Sequence, residues 1–448
     1  MPGGHGHGHG HAHGHAHSTP EGQDPVRVGA VARTALTVLL VLAAAATVFG
    51  LVRYWPDGSA GTTRVGTSDF AAPGVTFPLG QVREVLPACA DGQEGQEGAE
   101  GSDPDAPTCG ALVVRLEAPS GGGGGAPTVS VPVSPVVTGS GLRAGDTVQL
   151  LRTPPAGGQP ETYAFMQVER GAPLAWMLAL FLVVVAVVAR WRGVLALLGL
   201  GVGGLVVVKF MLPALLEGQS GLLVALVGSS AIMVVVLYLA HGLSVRTSTA
   251  LAGTLLGVGV TAVLGILAVD GARLSGVGDD EGAALASVAT SLDPRELLTC
   301  AIIVAGLGVL NDVTITQSSA VWELRAAAPS MGRRALFRSG MRIGRDHIAS
   351  TIYTIVFAYA GAALPVLLLL FLYDRPLLDM LQTESLSEEI VRTLASAIGL
   401  VLAVPATTAI AALTVGGADP AAPVRVADPA PEEDTRAARR MRREAAGS

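Results

Sequence analysis

Polar side chains interrupt an apolar stretch of the chain near residue 310. Asp312, Thr316, Ser319 and Glu323 follow at i, i+4, i+7 and i+11, the spacing of one helix face, and Asn311 precedes them. An acid inside a membrane helix costs about 2.5–3.5 kcal/mol and is usually kept for function. Asn311, Asp312 and Thr316 are therefore candidate ligands for a proton, Na⁺, another hard cation or a hydrogen-bonding solute.

A second polar set lies at the start of the next apolar block, at Asp346, His347, Thr351 and Thr354. Because the two blocks run in opposite directions, we expect both sets at similar depth, with Asp346 and His347 at the cytoplasmic mouth. The alternative is structural: Ser, Thr and Asn also join membrane helices to one another, and Asp346 then only pairs with Arg345 or caps its helix.

The head of the chain alternates histidine with glycine or alanine. Its seven imidazoles can chelate Zn²⁺, Ni²⁺ or Cu²⁺ weakly and without selectivity, and they are His5, His7, His9, His11, His13, His15 and His17. Either this tract feeds or senses metal for the rest of the chain, or it is a passive buffer. No other cofactor is expected.

The composition predicts a membrane protein. Of 448 residues, 50% are hydrophobic and 15% charged, and the apolar residues gather in blocks of about twenty, enough to cross a bilayer. A net charge of −7 disfavours nucleic acid as a partner. We predict an all-α polytopic protein with about eight transmembrane helices, at residues 34–52, 174–189, 193–212, 221–240, 248–269, 297–317, 347–372 and 393–415.

Arginine placement predicts the orientation of these helices. Nine arginines lie in the short loops of one side and three in those of the other, while acids show the opposite bias. Basic residues of short loops stay in the cytoplasm. We therefore expect a multi-pass protein of the bacterial plasma membrane with both termini cytoplasmic. The His-rich segment 1–33 and segment 416–448 are expected to be disordered tails.

The segment between the first two blocks, residues 53–173, predicts a small extracytoplasmic β-domain. Alternating stretches at 110–117, 128–133, 147–151 and 162–168 are typical of short strands, separated by Gly and Pro. Cys89 and Cys109 flank an acidic insertion in it. They form a disulfide after export or remain two free thiols, and the sequence leaves both open.

Two long motifs resemble a known family. They are GLGVLNDVTITQSSAVWELRA at Gly306–Ala326 and GMRIGRDHIASTIYTIVFAYAGAALPVLLLL at Gly340–Leu370. With an outer β-segment preceding a seven-helix membrane domain, the chain resembles the YibE/F-like family of bacterial membrane proteins over about residues 130–415. The resemblance implies a multi-pass plasma-membrane protein and supplies no mechanism.

Two function classes remain. We expect a secondary transporter or permease for a small ion or solute, because polar groups occur within the predicted helices and no ATP-binding motif is present. The alternative is a non-transporting scaffold whose β-domain binds an envelope partner. An enzyme is not expected, since no HExxH or intramembrane aspartyl-protease motif lies on a predicted helix.

Overall fold

The computed structural model describes residues 26–57, 74–87, 110–117, 127–155, 160–373 and 376–417. The chain divides into two compact units. The first comprises Met1–Trp55, Val202–Ala286 and Leu292–Ser448, and the second comprises Pro56–Gly201 and Ser287–Ser291. The His tract, Cys89 and Cys109 lie outside the described residues, as do residues 1–25 and 418–448 of the two predicted tails. The first helix begins at Ala30, inside the segment predicted to be a disordered tail.

Helices dominate the described chain, as the apolar blocks predict. Their bounds are α1 Ala30–Arg53, α2 Pro135–Thr138, α3 Gly171–Val206, α4 Leu212–Leu216, α5 Gly221–His241, α6 Val245–Gly271, α7 Asp280–Val288, α8 Pro294–Ala305, α9 Leu307–Ala327, α10 Arg333–Ala362, α11 Leu364–Leu372, α12 Leu377–Leu381 and α13 Glu384–Thr414. A π-helical turn, Val207–Met211, connects α3 to α4.

In the described part of the chain, six helical segments are long and apolar enough to cross a bilayer, and a bent seventh passes if its two halves count as one. The bent pair is α10 and α11, which meet at 63° around Ala363, with Pro365 as the second residue of α11. Segment Gly171–Leu216 is 46 residues long. It has non-helical backbone at Arg190 (φ 54°, ψ −139°), within one residue of where the sequence predicts one block to end.

The first unit packs its helices through small residues. On α6, Gly253 lies against Thr407 of α13, and Gly257 lies against Leu310 of α9 and Ala403 of α13. On α10, Gly340 and a second glycine one turn later lie against α9 and α13. Small residues let membrane helices approach closely, which gains dispersion energy where no hydrophobic effect operates.

The second unit contains a five-stranded antiparallel sheet. Its strands are β1 Leu79–Val85, β2 Ala111–Leu116, β3 Thr128–Pro132, β4 Thr147–Thr153 and β5 Thr162–Val168, in the order β3-β2-β1-β4-β5. The central strand β1 bends at a register shift between Val82 and Glu84. Strand order and curvature give a small antiparallel half-barrel.

The half-barrel has a core of its own, because alternate residues of its strands point to one side. Val82, Leu112, Val114, Val131, Val148 and Leu150 are fully buried there. Strands β2 to β5 correspond to the four stretches predicted from alternation. Strand β1 was not predicted, since Val82 is its only fully buried apolar side chain, Gly80 has no side chain, and Glu84 interrupts the alternation at the register shift.

Candidate functional site

A row of hydroxyl groups lies between α6, α9 and α13, the three helices that form what we call the seam. Its inner layer contains Thr254 of α6 and Thr314 of α9, whose Oγ1 atoms are 2.6 Å apart and fully buried. Thr407 of α13 lies in the same layer, against Gly253, where any larger residue would overlap it.

An apolar layer closes the seam one helical turn further along. Leu310 of α9 is fully buried. A Cβ at Gly257 would lie 2.7 Å from Leu310 Cδ2 and 3.1 Å from Ala403 Cβ, so the three residues are closely packed. In this conformation Leu310 separates the inner layer from what lies beyond it.

A second polar layer lies beyond Leu310. Thr261 of α6 is buried against Gly399 of α13. Ser396 of α13 is buried beside Gly306, the residue between α8 and α9, where a Cβ would lie 3.4 Å from the Ser396 Oγ. The seam thus alternates polar, apolar and polar over three successive turns.

Several oxygens of the seam have no hydrogen-bond partner. Within the described part of the chain, these buried atoms are Thr261 Oγ1, Ser396 Oγ and Thr407 Oγ1, together with Asn311 Oδ1 of α9. An unsatisfied buried polar group costs about 1–3 kcal/mol, and lipid cannot supply the missing bond. The seam therefore holds three oxygens able to solvate a small cation or a hydrogen-bonding solute, and Asn311 of α9 carries a fourth outside it.

Some buried threonines, including Thr254 of the seam itself, form hydrogen bonds that serve a structural purpose. Thr249, Thr254 and Thr408 each donate to the carbonyl four residues earlier, at 2.7–3.0 Å. Such bonds satisfy a hydroxyl within its own helix. A hydroxyl alone is therefore no sign of a ligand site, and the unpartnered atoms distinguish the seam from ordinary helix packing.

Glu388 lies on the seam face of α13, eight residues before Ser396. The residue is 8% exposed, and its Oε1 atom has no hydrogen-bond partner in the described chain. A Cβ at Gly278 would lie 3.0 Å from that atom, so the loop before α7 covers it. Asp279 and Glu384 add like charge nearby, and Arg392 opposes them. A carboxylate thus lies above the outer polar layer.

Gln317 joins three helices at the other end of the seam. It is buried, and its Nε2 donates to the carbonyl oxygen of Gly340 on α10 at 2.8 Å and to Thr408 Oγ1 on α13 at 2.7 Å. Ser318 beside it donates to the Arg246 carbonyl of α6 at 2.8 Å. These bonds fix α9 against its neighbours.

The predicted polar stripe of α9 faces away from this core. Asp312 is exposed and Thr316 half-buried, with Thr316 Oγ1 donating to the Asp312 carbonyl at 2.7 Å. Asn311 lies between the two faces, half-buried, with its side-chain oxygen enclosed. Of the predicted α9 residues, Asn311 is thus the one whose side chain reaches the buried interior.

The α10 set lies level with the α9 stripe. Gly340 meets Val321 and Gly344 meets Gln317, so the antiparallel pairing puts Asp312 level with Ala349, between Asp346 and Thr351. Asp346 and Thr354 are exposed, while His347 and Thr351 are half-buried. The two threonines donate to His347 and Ser350 carbonyls of their own helix.

No hydrogen bond or ion pair joins these two sets in the described chain. The helix that carries the α10 set is longer than predicted, because it begins at Arg333 rather than near residue 347. The assignment of both sets to one ion site remains a prediction. So does metal binding by the His tract, which lies outside the described residues.

Sequence reasoning missed the residues that the seam brings together. Thr247, Thr254 and Thr261 recur every seven residues, which places them on one face of α6, and this spacing was a usable signal. Glu388 was assigned to an outer loop as one of its acidic residues, because the last helix was predicted to begin at residue 393. The helix α13 in fact begins nine residues earlier, at Glu384. Among the described residues, no group of three or more His, Cys, Asp or Glu is arranged to hold a metal.

Comparison with known proteins gives one match. The family model described as YibE/F-like protein matches residues 177–417, more than half of the chain and all three seam helices. No curated protein and no solved structure matches.

Proposed function

The chain belongs to the YibE/F-like family, and from this premise we propose that it is a secondary transporter for a small cation or hydrogen-bonding solute, which passes along the seam. The observation that carries the proposal is the set of three buried hydroxyls that have no partner in the described chain, with Thr407 on one side of the Leu310 layer and Thr261 and Ser396 on the other. A polar path closed at one layer is compatible with alternating access, in which a site opens to one side of the membrane at a time.

The charges favour a cation over an anion. Glu388 stands above the outer layer, and the seam oxygens carry partial negative charge. Asp312 is on the opposite side of α9, level with His347 and Thr351. We assign it the coupling role, because an acid at mid-helix that takes up and releases a proton is the usual device of a gradient-driven carrier.

We further propose eight membrane crossings with both termini in the cytoplasm. Segment Gly171–Leu216 would be about 69 Å long at about 1.5 Å per residue, more than twice the about 30 Å of a bilayer core. The backbone break at Arg190 supports dividing it into two crossings. The arginine bias then assigns the plasma-membrane orientation.

Flux into proteoliposomes tests the proposal. The full chain is reconstituted and assayed with H⁺, Na⁺, Zn²⁺ and Ni²⁺, beside Glu388→Gln, Asp312→Asn and a chain lacking residues 1–20. Glu389→Gln is the matched control, because Glu389 is the neighbouring acid and is already paired with Arg392 at 2.6 Å.

We expect flux of at least one cation in the wild type, a loss of tenfold or more in Glu388→Gln and Asp312→Asn, and little change in Glu389→Gln. Flux that survives removal of residues 1–20 makes the His tract accessory. A folded wild type that moves none of these ions contradicts cation transport and favours the scaffold, with the half-barrel as its binding unit.

A further inference from the structure

A cavity of about 610 Å³ opens at the end of α13, beside the start of α10. Both helices reach the edge of the membrane here: the cavity uses the last turns of α13, which ends at Thr414, and the first turns of α10, which begins at Arg333. It therefore lies at the depth where lipid acyl chains meet their headgroups.

The two walls of the cavity differ in chemistry. The α10 wall carries three exposed arginines, Arg333, Arg334 and Arg338, while the α13 wall is apolar, formed by Ala409, Ala412 and Leu413. Within the described residues no acid pairs with any of these arginines. The cavity thus has one cationic wall and one apolar wall.

The surroundings add positive charge rather than cancel it. Arg325 at the end of α9 is 5% exposed and close enough to Arg333 for their charges to repel. Its Nη1 donates to the carbonyls of Pro329 and Met331, at 2.9 and 2.8 Å, and its Nε and Nη2 have no partner among the described residues. In that part of the chain the partners of this buried cation are backbone oxygens, and an anion nearby would compensate its charge.

The geometry points to a site for one anionic phospholipid. Its phosphate binds Arg334 and Arg338, since guanidinium groups pair with phosphate oxygens in a bidentate way. One acyl chain lies along Ala409, Ala412 and Leu413. Basic pockets between membrane helices hold anionic headgroups in this manner. A soluble phosphate compound would leave the apolar wall unused, which is why the occupant is a lipid.

This inference does not depend on transport. It names a ligand for a surface on the opposite side of α13 from the seam, and it holds equally for a scaffold.

Native mass spectrometry of the full chain in neutral detergent tests it, with phosphatidylglycerol or cardiolipin as probe and phosphatidylcholine as the neutral comparison. The variants are Arg334→Gln/Arg338→Gln, which removes the phosphate contacts, and Ala409→Trp, which fills the acyl groove from a half-buried position at unchanged charge. Arg342→Gln is the matched control, because Arg342 is exposed one turn further along α10 and lies outside the cavity.

We expect the double variant and Ala409→Trp each to retain anionic lipid at least tenfold less than the wild type, with Arg342→Gln unchanged. Equal loss in Arg342→Gln would show general charge attraction and overturn the site. So would retention in the double variant, or equal retention of phosphatidylcholine.

Two further arms exclude other occupants. Inorganic phosphate that displaces the lipid at millimolar concentration would indicate a plain anion site. A chain ending at Gly417, which lacks Glu432, Glu433 and Asp434, should bind lipid as the full chain does; markedly tighter binding would mean that the tail occupies the cavity and would overturn the proposal.

Discussion

The hydroxyl oxygens of Thr254 and Thr314 lie 2.6 Å apart with no access to solvent, and they connect α6 to α9 directly below Leu310. Thr254 also donates to the Ala250 carbonyl of its own helix at 3.0 Å. The pair is therefore the satisfied part of a layer whose third hydroxyl, on Thr407, has no partner in the described chain. A solute that reached this layer would find two bonded hydroxyls and one free one.

Close packing along α6 predicts different responses from two of its glycines. Gly253→Ala forces a Cβ onto Thr407, whereas nothing lies within 4 Å of a Cβ at Gly259. Overpacking costs about 1–3 kcal/mol, so Gly253→Ala should lower the thermal midpoint in detergent by several degrees. Gly259→Ala should leave it unchanged or raise it slightly, because alanine is the better helix former. Equal midpoints would contradict the packing described.

The Gln317 junction predicts a second stability difference. Gln317→Leu leaves Thr408 and the Gly340 carbonyl without their shared donor, at a cost of about 1–3 kcal/mol. Thr316→Val is the control, since Thr316 bonds only its own helix. Thermal unfolding in detergent without denaturant, monitored by tryptophan fluorescence, should show a clearly lower midpoint for the first variant and little change for the second. A larger loss for Thr316→Val would reverse the assignment.

The α9 helix shows what the sequence pattern predicts and what it does not. Asp312, Thr316, Ser319 and Glu323 share one face, but the face of Leu310, Thr314, Gln317 and Val321 repeats with the same spacing. Periodicity finds a face without saying which neighbours it meets. In a membrane the apolar face gives no guidance either, because lipid and protein interior are equally apolar.

Elsewhere the sequence was a better guide. Long apolar blocks predicted the helices, because backbone groups in lipid must bond within their own segment. Alternation predicted four strands of the half-barrel. The seam depended on contacts between α6 and α13, separated by more than a hundred residues, and no local pattern encodes that pairing.

Cysteine labelling distinguishes eight crossings from seven. In a background without Cys89, Cys109 and Cys300, the variants Arg192→Cys and Ser330→Cys should react with an impermeant maleimide only after the cells are opened. Gln219→Cys and Asp279→Cys should react in intact cells. Labelling of Arg192→Cys from outside would show that α3 and α4 cross once and would contradict the proposed orientation.

The half-barrel predicts a local response to acid. Arg152 donates to Glu161 at 2.8 Å, and the Tyr163 hydroxyl also donates to it. These bonds lower the pKa of Glu161 from 4.5 to about 2. Since its folded pKa lies below the unfolded one, its contribution is complete above pH 4.5 and is lost as the pH falls towards 2.

Hydrogen exchange of the β4 and β5 peptides, compared with Glu161→Gln at each pH, measures this. At pH 6 the variant should exchange faster than the wild type, and the difference should shrink between pH 4.5 and 2. The exposure of both partners keeps the effect small. A difference that grows on acidification would contradict the assignment.

Opening the apolar layer tests the central claim most directly. Leu310→Ala removes the side chain that seals the seam, so cation flux into proteoliposomes should rise at least severalfold over the wild type. Leu336→Ala deletes the same atoms from an equally buried site that packs with Val321, Trp322 and Ala411 instead, and its flux should match the wild type. Unchanged flux in Leu310→Ala, or the same rise in both variants, would contradict passage along the seam.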